Sequence, residues 1–185
     1  MSDLLMQLNE KLQQLDQENQ KFINRIQESL NQFPRTPISY FSYSLNVSNA
    51  LDENNIIIAN YTLFNITTHE IHQPFICLKL PEDPFFHMTG KIISPDMKRK
   101  GQPGAWERFT QSDRSQDYWL KPVDKDVLFP GEKLSFSNFQ LTYAAEQNYN
   151  ANVQGFFYGE GYHEGVPAIN SISISGKVRG DSVES

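Results

Sequence analysis

The chain of 185 residues carries 16 Lys and Arg against 22 Asp and Glu, which gives a formal net charge of −6. This acidic balance, with no basic cluster beyond residues 98–100, argues against a nucleic-acid partner. Cys77 is the only cysteine, which excludes an internal disulfide, and no apolar stretch approaches the length of a membrane span. Because the N-terminus lacks a secretory pattern, we expect a cytoplasmic protein, which could still reach a cell surface, spore or virion by a non-classical route.

Residues 2–33 predict one long amphipathic helix. Its apolar positions alternate in steps of three and four, which is the heptad pattern of a coiled coil. Ser2 fits the N-cap, and Pro34 ends the helix because proline disfavours the helical conformation at Phe33. With Leu5 as position a, the predicted oligomerisation residues are Leu5, Leu8, Leu12, Leu15, Asn19, Phe22 and Ile26.

Two features of this helix bear on what it packs against. Asn19 falls at an a position, where a buried asparagine pairs with its twin and favours a parallel dimer; at the edge of the seam it would have no such role. Ile23 and Leu30 widen the apolar stripe in the second half of the helix. A lone helix of about 30 residues gains little from propensity alone. We therefore expect it either to oligomerise or to dock on its own β domain.

Residues 38–178 predict a β domain, joined to the helix by a short, stiff connector at 34–37 and followed by a flexible tail at 179–185. Apolar and polar residues alternate from Phe41 to Val47, and a turn cluster at 52–55 leads into a second strand, so these two strands predict a hairpin. A change of parity at Ser137 and Asn138 predicts a β-bulge. The other predicted strands lie within 75–80, 85–94, 135–143, 153–158 and 171–178.

Seven or eight short strands with no helical periods between them predict a mainly β fold, an antiparallel sandwich. Asn46, Asn60 and Asn65 begin glycosylation-type tripeptides, but we interpret them as ordinary strand residues. The aromatic residues around the excursion between Trp106 and Trp119 predict that this segment is held against the sandwich.

Two short motifs carry a resemblance. Asn60, Thr62 and Asn65 form the return of an Asn-rich hairpin. A later turn motif contains Leu128, Pro130, Gly131, Glu132, Leu134 and Phe136. Over residues 40–178 the chain resembles bacterial immunoglobulin-like or fibronectin III-like β-sandwich domains, in which a Pro-Gly-Glu turn enters a late strand. The resemblance implies adhesion, spacing or assembly rather than catalysis. The long excursion departs from a minimal domain of this kind.

Few residues suggest reaction chemistry. The candidates for a metal-dependent hydrolase are His69, His72, His163 and Glu164. On a strand, however, His69 and His72 would face opposite sides, and a zinc-protease spacing is absent. Cys77 lies in an apolar strand without a neighbouring base, so we interpret it as a small buried residue rather than a nucleophile. We expect a protein that is not an enzyme and that has no catalytic residue, cofactor or metal site.

Aromatic residues and a Gly-rich loop at 159–165 form the alternative candidate, a face for a carbohydrate or other ligand. Exposed rings would stack on a sugar, whereas the competing interpretation makes them core plugs and makes the loop a tight connection with solvated charges. The residues of this predicted ligand face are Trp106, Tyr118, Trp119, Tyr162 and His163.

The sequence therefore favours a non-enzymatic assembly or scaffold protein of a bacterial coat, surface or tail-like structure. Its helix would oligomerise into a dimer or larger assembly, and its sandwich would present a face to another protein. A glycan is the alternative ligand. Displaying several weak sites together raises avidity without any new contact.

Overall fold

A computed structural model describes residues 2–31, 36–48, 53–82, 86–93, 103–109, 116–144 and 147–177. The chain divides into two compact units, residues 1–35 and 36–185. The first unit contains one helix, α1 (Ser2–Asn31), whose uninterrupted run of good helix formers lacks Gly and Pro. The predicted end of the helix at Phe33 and Pro34, the first half of the connector (residues 34–35) and the tail at 179–185 lie outside the described residues.

The second unit is mainly β. In its described residues the strands are β1 (Ile38–Asn46), β2 (Asn54–Phe64), β3 (Ile71–His72), β4 (Phe75–Lys79), β5 (His87–Thr89), β6 (Ile92–Ile93), β7 (Trp106–Arg108), β8 (Asp117–Pro122), β9 (Val127–Leu128), β10 (Lys133–Ala144), β11 (Tyr149–Tyr158), β12 (Val166–Pro167) and β13 (Ile172–Gly176).

These strands form two larger sheets and one small one. The first sheet has the order β1-β2-β10-β5, and all of its pairs are antiparallel. The second has the order β12-β11-β4-β8-β7-β6, with β13 also paired to β11. Strands β3 and β9 pair by themselves. The predicted all-antiparallel arrangement is wrong at β6 and β7, which run parallel, because the connection between them is long enough to cross over.

The core is shared by the two larger sheets. Ile57, Tyr61 and Leu63 of β2 lie in one buried cluster with Ile76 of β4 and Phe157 of β11. The sheets approach closely at Gly155, where an added Cβ would lie 2.3 Å from the Tyr61 ring. The Tyr61 hydroxyl, although buried, donates a hydrogen bond of 2.8 Å to Ser39 Oγ. Position 155 therefore requires glycine because a larger side chain would not fit between the sheets, and not because of its backbone conformation.

Several local predictions are confirmed. Strands β1 and β2 pair as the predicted hairpin. Trp106 and Trp119, the two ends of the excursion, lie in strands of the second sheet, and residues 110–115 between them lie outside the described part of the chain. The register between β10 and β2 shifts between Phe136 and Phe139, which is the predicted bulge. Asn138 takes a φ of 55° there, and its N–H donates to Asn60 Oδ1 at 2.8 Å. A bulge thus forms where a side-chain amide replaces the missing ladder bond.

The Pro-Gly-Glu turn also has a clear local cause. Gly131 takes a φ of 81°, which favours glycine. The Glu132 carboxylate contacts Lys125 Nζ at 2.8 Å and accepts a hydrogen bond of 2.9 Å from the Phe129 N–H. The hydrogen bond from Lys125, and then that from Phe129, holds the pKa of Glu132 below its usual range.

Two other expectations differ from the structure. Seven or eight strands are predicted, whereas the described residues contain thirteen. Most of the additional strands are two or three residues long and too short to show alternation, and β8, with six residues, is the exception. Asn46 and Asn60 are strand residues as predicted, but Asn65 follows β2 and is buried in the adjoining loop. Its amide bonds the loop instead of joining a ladder.

Candidate functional site

The helix exposes the middle of its predicted seam. Leu12, Leu15 and Phe22 occupy a and d positions and are 52%, 58% and 64% exposed. Asn19 lies between them and is also exposed, as is the adjoining Ile23. The side chains of the remaining predicted seam residues, Leu5, Leu8 and Ile26, lie outside the described part of the chain. One face of α1 thus presents large apolar groups at heptad spacing to solvent.

The five residues of the predicted ligand face do not come together. Trp106 is only 1% exposed and packs edge-on against Phe136 at 5.7 Å, so it is a core residue and cannot act as a stacking surface. Tyr118 packs on the core side of β8, with the Arg108 guanidinium 4.1 Å from its ring centre. Trp119 is the next residue along the strand and therefore points to the opposite face.

The Gly-rich loop is a tight connection, as the competing interpretation expected. Gly161 and Gly165 both take a φ of 82°. Tyr162 is half-buried, its ring lies 5.3 Å from that of Phe157, and burial raises its pKa. His163 is exposed in the second turn of the loop. Tyr162 therefore packs on the core, whereas Gly165 lies close to the ring of Tyr158.

Four rings form a cluster on the outer face of the second sheet. We call Phe75, Phe109, Trp119 and Tyr158 the aromatic patch. Tyr158 stacks on Phe75 at 5.1 Å with an interplanar angle of 6°, and it lies 5.1 Å from Trp119. Phe109 meets Phe75 edge-on at 5.5 Å and is 41% exposed. Such offset and edge contacts hold the rings in fixed positions at the surface.

Strand pairing explains how the patch forms. Tyr158 at the end of β11 lies opposite Phe75 at the start of β4, and Trp119 of β8 lies opposite Cys77 of β4. Cys77 is fully buried between these neighbours, and burial followed by the nearby Asp117 raises the pKa of its thiol to about 12. An added Cβ at Gly165 would lie 2.6 Å from the Tyr158 ring, so the Gly-rich loop rests against the patch.

A pocket of about 400 Å³ adjoins the patch. Phe75 and Phe109 belong to both, and Gln73 in the pocket wall takes a φ of 49°, which is uncommon for a residue with a side chain. Two lysines of the wall are engaged by acids, Lys121 with Glu107 at 3.3 Å and Lys125 with Glu132 at 2.8 Å. The full lining is Gln73, Pro74, Phe75, Phe109, Lys121, Pro122, Lys125 and Asp126.

Sequence reasoning found one member of the patch, Trp119, and missed Phe75, Phe109 and Tyr158. A signal was present in β4, which is apolar on both faces from Phe75 to Leu78. An apolar outer face indicates that something covers it. The strand partners that bring the other rings to that face are distant in sequence, so alternation within one strand could not identify them.

The histidines show ordinary surface contacts. His72 Nε2 lies 3.5 Å from the Glu70 carboxylate, and His69 Nδ1 lies 3.1 Å from the Thr68 hydroxyl. Within the described ranges, no three His, Cys, Asp or Glu side chains are grouped so that they could hold a metal ion. In the same ranges, no helix combines the length and the apolar character needed to cross a membrane.

No family model matches the sequence, and no curated protein matches it. Among solved structures, a cohesin module from a Clostridium perfringens family 33 glycoside hydrolase has a TM-score of 0.39 at 7% identity, covering 77% of this chain and 97% of that one. The C-terminal domain of the Streptococcus pyogenes antigen I/II-family protein AspA has a TM-score of 0.40 at 10% identity, covering 75% and 45%.

A third structure is an exo-β-N-acetylglucosaminidase of family GH20 from Vibrio harveyi, with a TM-score of 0.30 at 9% identity, covering 76% of this chain and 18% of that one. None of the three reaches a TM-score of 0.5. These likenesses therefore carry no information about what this chain binds or does.

Proposed function

We propose that this protein is a non-enzymatic assembly protein that oligomerises through α1 and presents its β domain, an immunoglobulin-like sandwich, as a binding face. The observation that carries the proposal is the exposure of Leu12, Leu15 and Phe22 at heptad positions. Burying the exposed half of such a side chain contributes on the order of 1 kcal/mol. Summed over several residues on each chain, this favours association of the helices.

The test is the molar mass in solution of a charged seam variant. Leu12→Asp with Phe22→Asp places two carboxylates in the seam, where association would bury them, so we expect a monomer. Gln13→Asp with Gln17→Asp adds the same charge at positions outside the seam and should leave the mass of the wild type unchanged. Light scattering on the three proteins decides: equal masses for wild type and both variants would contradict oligomerisation through this seam.

A second candidate function is ligand binding at the aromatic patch. The pocket beside the patch supports it, because this pocket combines the exposed Phe109 ring and the half-buried Phe75 ring with lysine, aspartate and amide groups. Sugars are bound by such combinations, in which a ring face packs on the apolar side of a pyranose and polar groups bond its hydroxyls. An oligomer would present several of these pockets together.

A glycan array probed with the full chain tests this candidate. Binding should be lost in Phe109→Ala and retained in Phe129→Ala, since Phe129 is also exposed, at 49%, but does not line the pocket. An array without signal at high protein concentration would count against a carbohydrate ligand. Equal binding by the two variants would place the ligand elsewhere on the surface.

A further inference from the structure

One edge of the first sheet is closed along only half of its length. Strand β1 pairs with β2 and forms the edge of the sheet. The Ser39 carbonyl accepts a hydrogen bond of 2.8 Å from the Ile169 N–H. The Asn170 side chain then accepts from the Phe41 N–H at 2.8 Å and donates to the Phe41 carbonyl at 2.9 Å. Asn170 thus supplies Phe41 with both bonds that a neighbouring strand would supply.

The second half of β1 is open. Because backbone groups in an antiparallel strand alternate between its two sides, the N–H and C=O groups of Tyr43 and Leu45 point the same way as those of Phe41. Among the described residues, no strand pairs with β1 on this side. The side chains of Tyr43, Leu45 and Val47 are 40%, 48% and 39% exposed and lie on one face of the strand. In the described part of the chain, the second half of β1 therefore presents unpaired backbone N–H and C=O groups together with exposed apolar side chains.

This edge lacks the features that normally prevent strand pairing. Exposed edges are usually protected by charge, proline, a bulge or a covering segment. From Ile38 to Ser48 the chain contains no charged residue, no proline and no glycine. The covering segment at 169–170 reaches only as far as Phe41. An unprotected edge of this kind fits a strand that is paired in the assembled protein.

We propose that the open edge of β1 pairs antiparallel with β1 of a second copy of this chain. The inference rests on the proposed oligomerisation, because only six residues, 32–37, separate α1 from β1, and association of the helices raises the local concentration of the edges. The strand is self-complementary: a twofold axis at Leu45 sets Leu45 opposite its twin and Tyr43 opposite Val47. This pairing forms about six backbone hydrogen bonds between the two copies of β1. The backbone of Phe41 remains bonded to the Asn170 side chain.

Single cysteines test both the contact and its register. In the proposed pairing, Ser44 of one copy lies opposite Asn46 of the other, at a non-hydrogen-bonded position where Cα atoms are about 4.5 Å apart. That separation suits a disulfide. The full-length variants Ser44→Cys and Asn46→Cys are oxidised mildly, alone and as an equilibrated mixture, and covalent dimers are measured on non-reducing gels. Ser173→Cys, an exposed serine on β13, reports random collision.

We expect several-fold more covalent dimer in the mixture than in either variant alone or in Ser173→Cys. Dimer at the level of the Ser173→Cys control in all samples would overturn the proposal, and this is also the result expected if another segment covers the edge. Light scattering on the reduced samples separates the two proposals. An oligomer that fails to cross-link retains assembly through the helix and loses the edge contact, whereas a monomer that fails to cross-link loses both.

Discussion

Asn65 organises the loop after β2 through a single buried amide. Its Nδ2 donates to the carbonyls of His69 and Leu128 at 2.8 and 2.9 Å. Its Oδ1 accepts from the Thr67 N–H at 3.1 Å and from the Thr67 hydroxyl at 2.7 Å. All of the bonding capacity of this amide is therefore used inside the protein. An asparagine in this position cannot serve as a glycan acceptor while the fold is intact.

Replacing Asn65 by Ala should be among the more costly single changes in the β domain. The variant leaves the carbonyl of Leu128 and the amide of Thr67 buried without these partners, and we expect a loss of about 3 kcal/mol in the free energy of unfolding. Denaturant titration measures it. Asn150→Ala, at an exposed strand position, is the matched control and should change stability by less than about 0.5 kcal/mol. Equal stability of the two variants would contradict the role given to Asn65.

Cys77 should be inert in the folded protein. Its thiol is buried and its pKa lies near 12, so almost no thiolate forms at pH 8. We expect an aromatic disulfide reagent to leave the native wild type unlabelled and to label it fully in guanidinium chloride. Ser173→Cys provides an exposed thiol that should react at once in the native state. Rapid labelling of native Cys77 would contradict its burial beneath the aromatic patch.

The same thiol has a predictable effect on stability at alkaline pH. The unfolded thiol loses its proton near pH 9.0, while the folded one keeps it to about pH 12. The unfolded state therefore binds fewer protons in this interval, and the stability contributed by the neutral thiol is present below pH 9 and lost as pH rises toward 12. Cys77→Ala should show a smaller alkaline loss of stability than the wild type, as measured by denaturant titration at each pH.

At the scale of elements, the proposed oligomerisation depends on the exposed apolar seam of α1. Asn19 at an a position would cost stability and set the register if the helices pair there. Asn19→Ile should therefore raise the melting temperature of the assembly and broaden the distribution of oligomer sizes. Gln17→Ile, outside the seam, is the control and should do neither. Thermal unfolding by circular dichroism, combined with light scattering, measures both effects. An unchanged melting temperature in Asn19→Ile would contradict the placement of Asn19 in the seam.

Elements with a sustained pattern could be predicted from the sequence, and short ones could not. The heptads of α1, the alternation of β1 and the parity change at Asn138 each extend over enough residues to identify a structure. Strands β3, β6, β9 and β12 contain two residues each and exist through their partners rather than through their own pattern. The parallel pairing of β6 and β7 depends on a crossover that no local signal encodes.

The candidate site shows the same division. Trp119 could be identified as an aromatic of interest, but its neighbours Phe75 and Tyr158 reach it only through the pairing of β4 with β8 and β11. Trp106 is a residue of the predicted ligand face, but β7 places it in the core, as the competing interpretation of a core plug expects. The open half of β1 could not be foreseen at all, because it depends on where the Asn170 side chain lies.

At the scale of the whole molecule, the two proposals give one chain two means of self-association. The seam of α1 is apolar and governed by side chains, whereas the edge of β1 adds backbone hydrogen bonds. Both kinds of proposed contact would increase the number of aromatic patches in one particle. If each patch binds weakly, the assembled particle binds with higher avidity than one chain does. Assembly is thus the property on which the other proposed functions depend.

The molar mass of the wild-type chain in solution tests that claim most directly. Light scattering is measured over a series of protein concentrations under reducing conditions. We expect a mass of at least twice the 21.3 kDa of one chain at high concentration, and a lower mass on dilution because dilution separates the copies. A constant mass of 21.3 kDa at every concentration would contradict it, and the exposed seam of α1 would then need another partner.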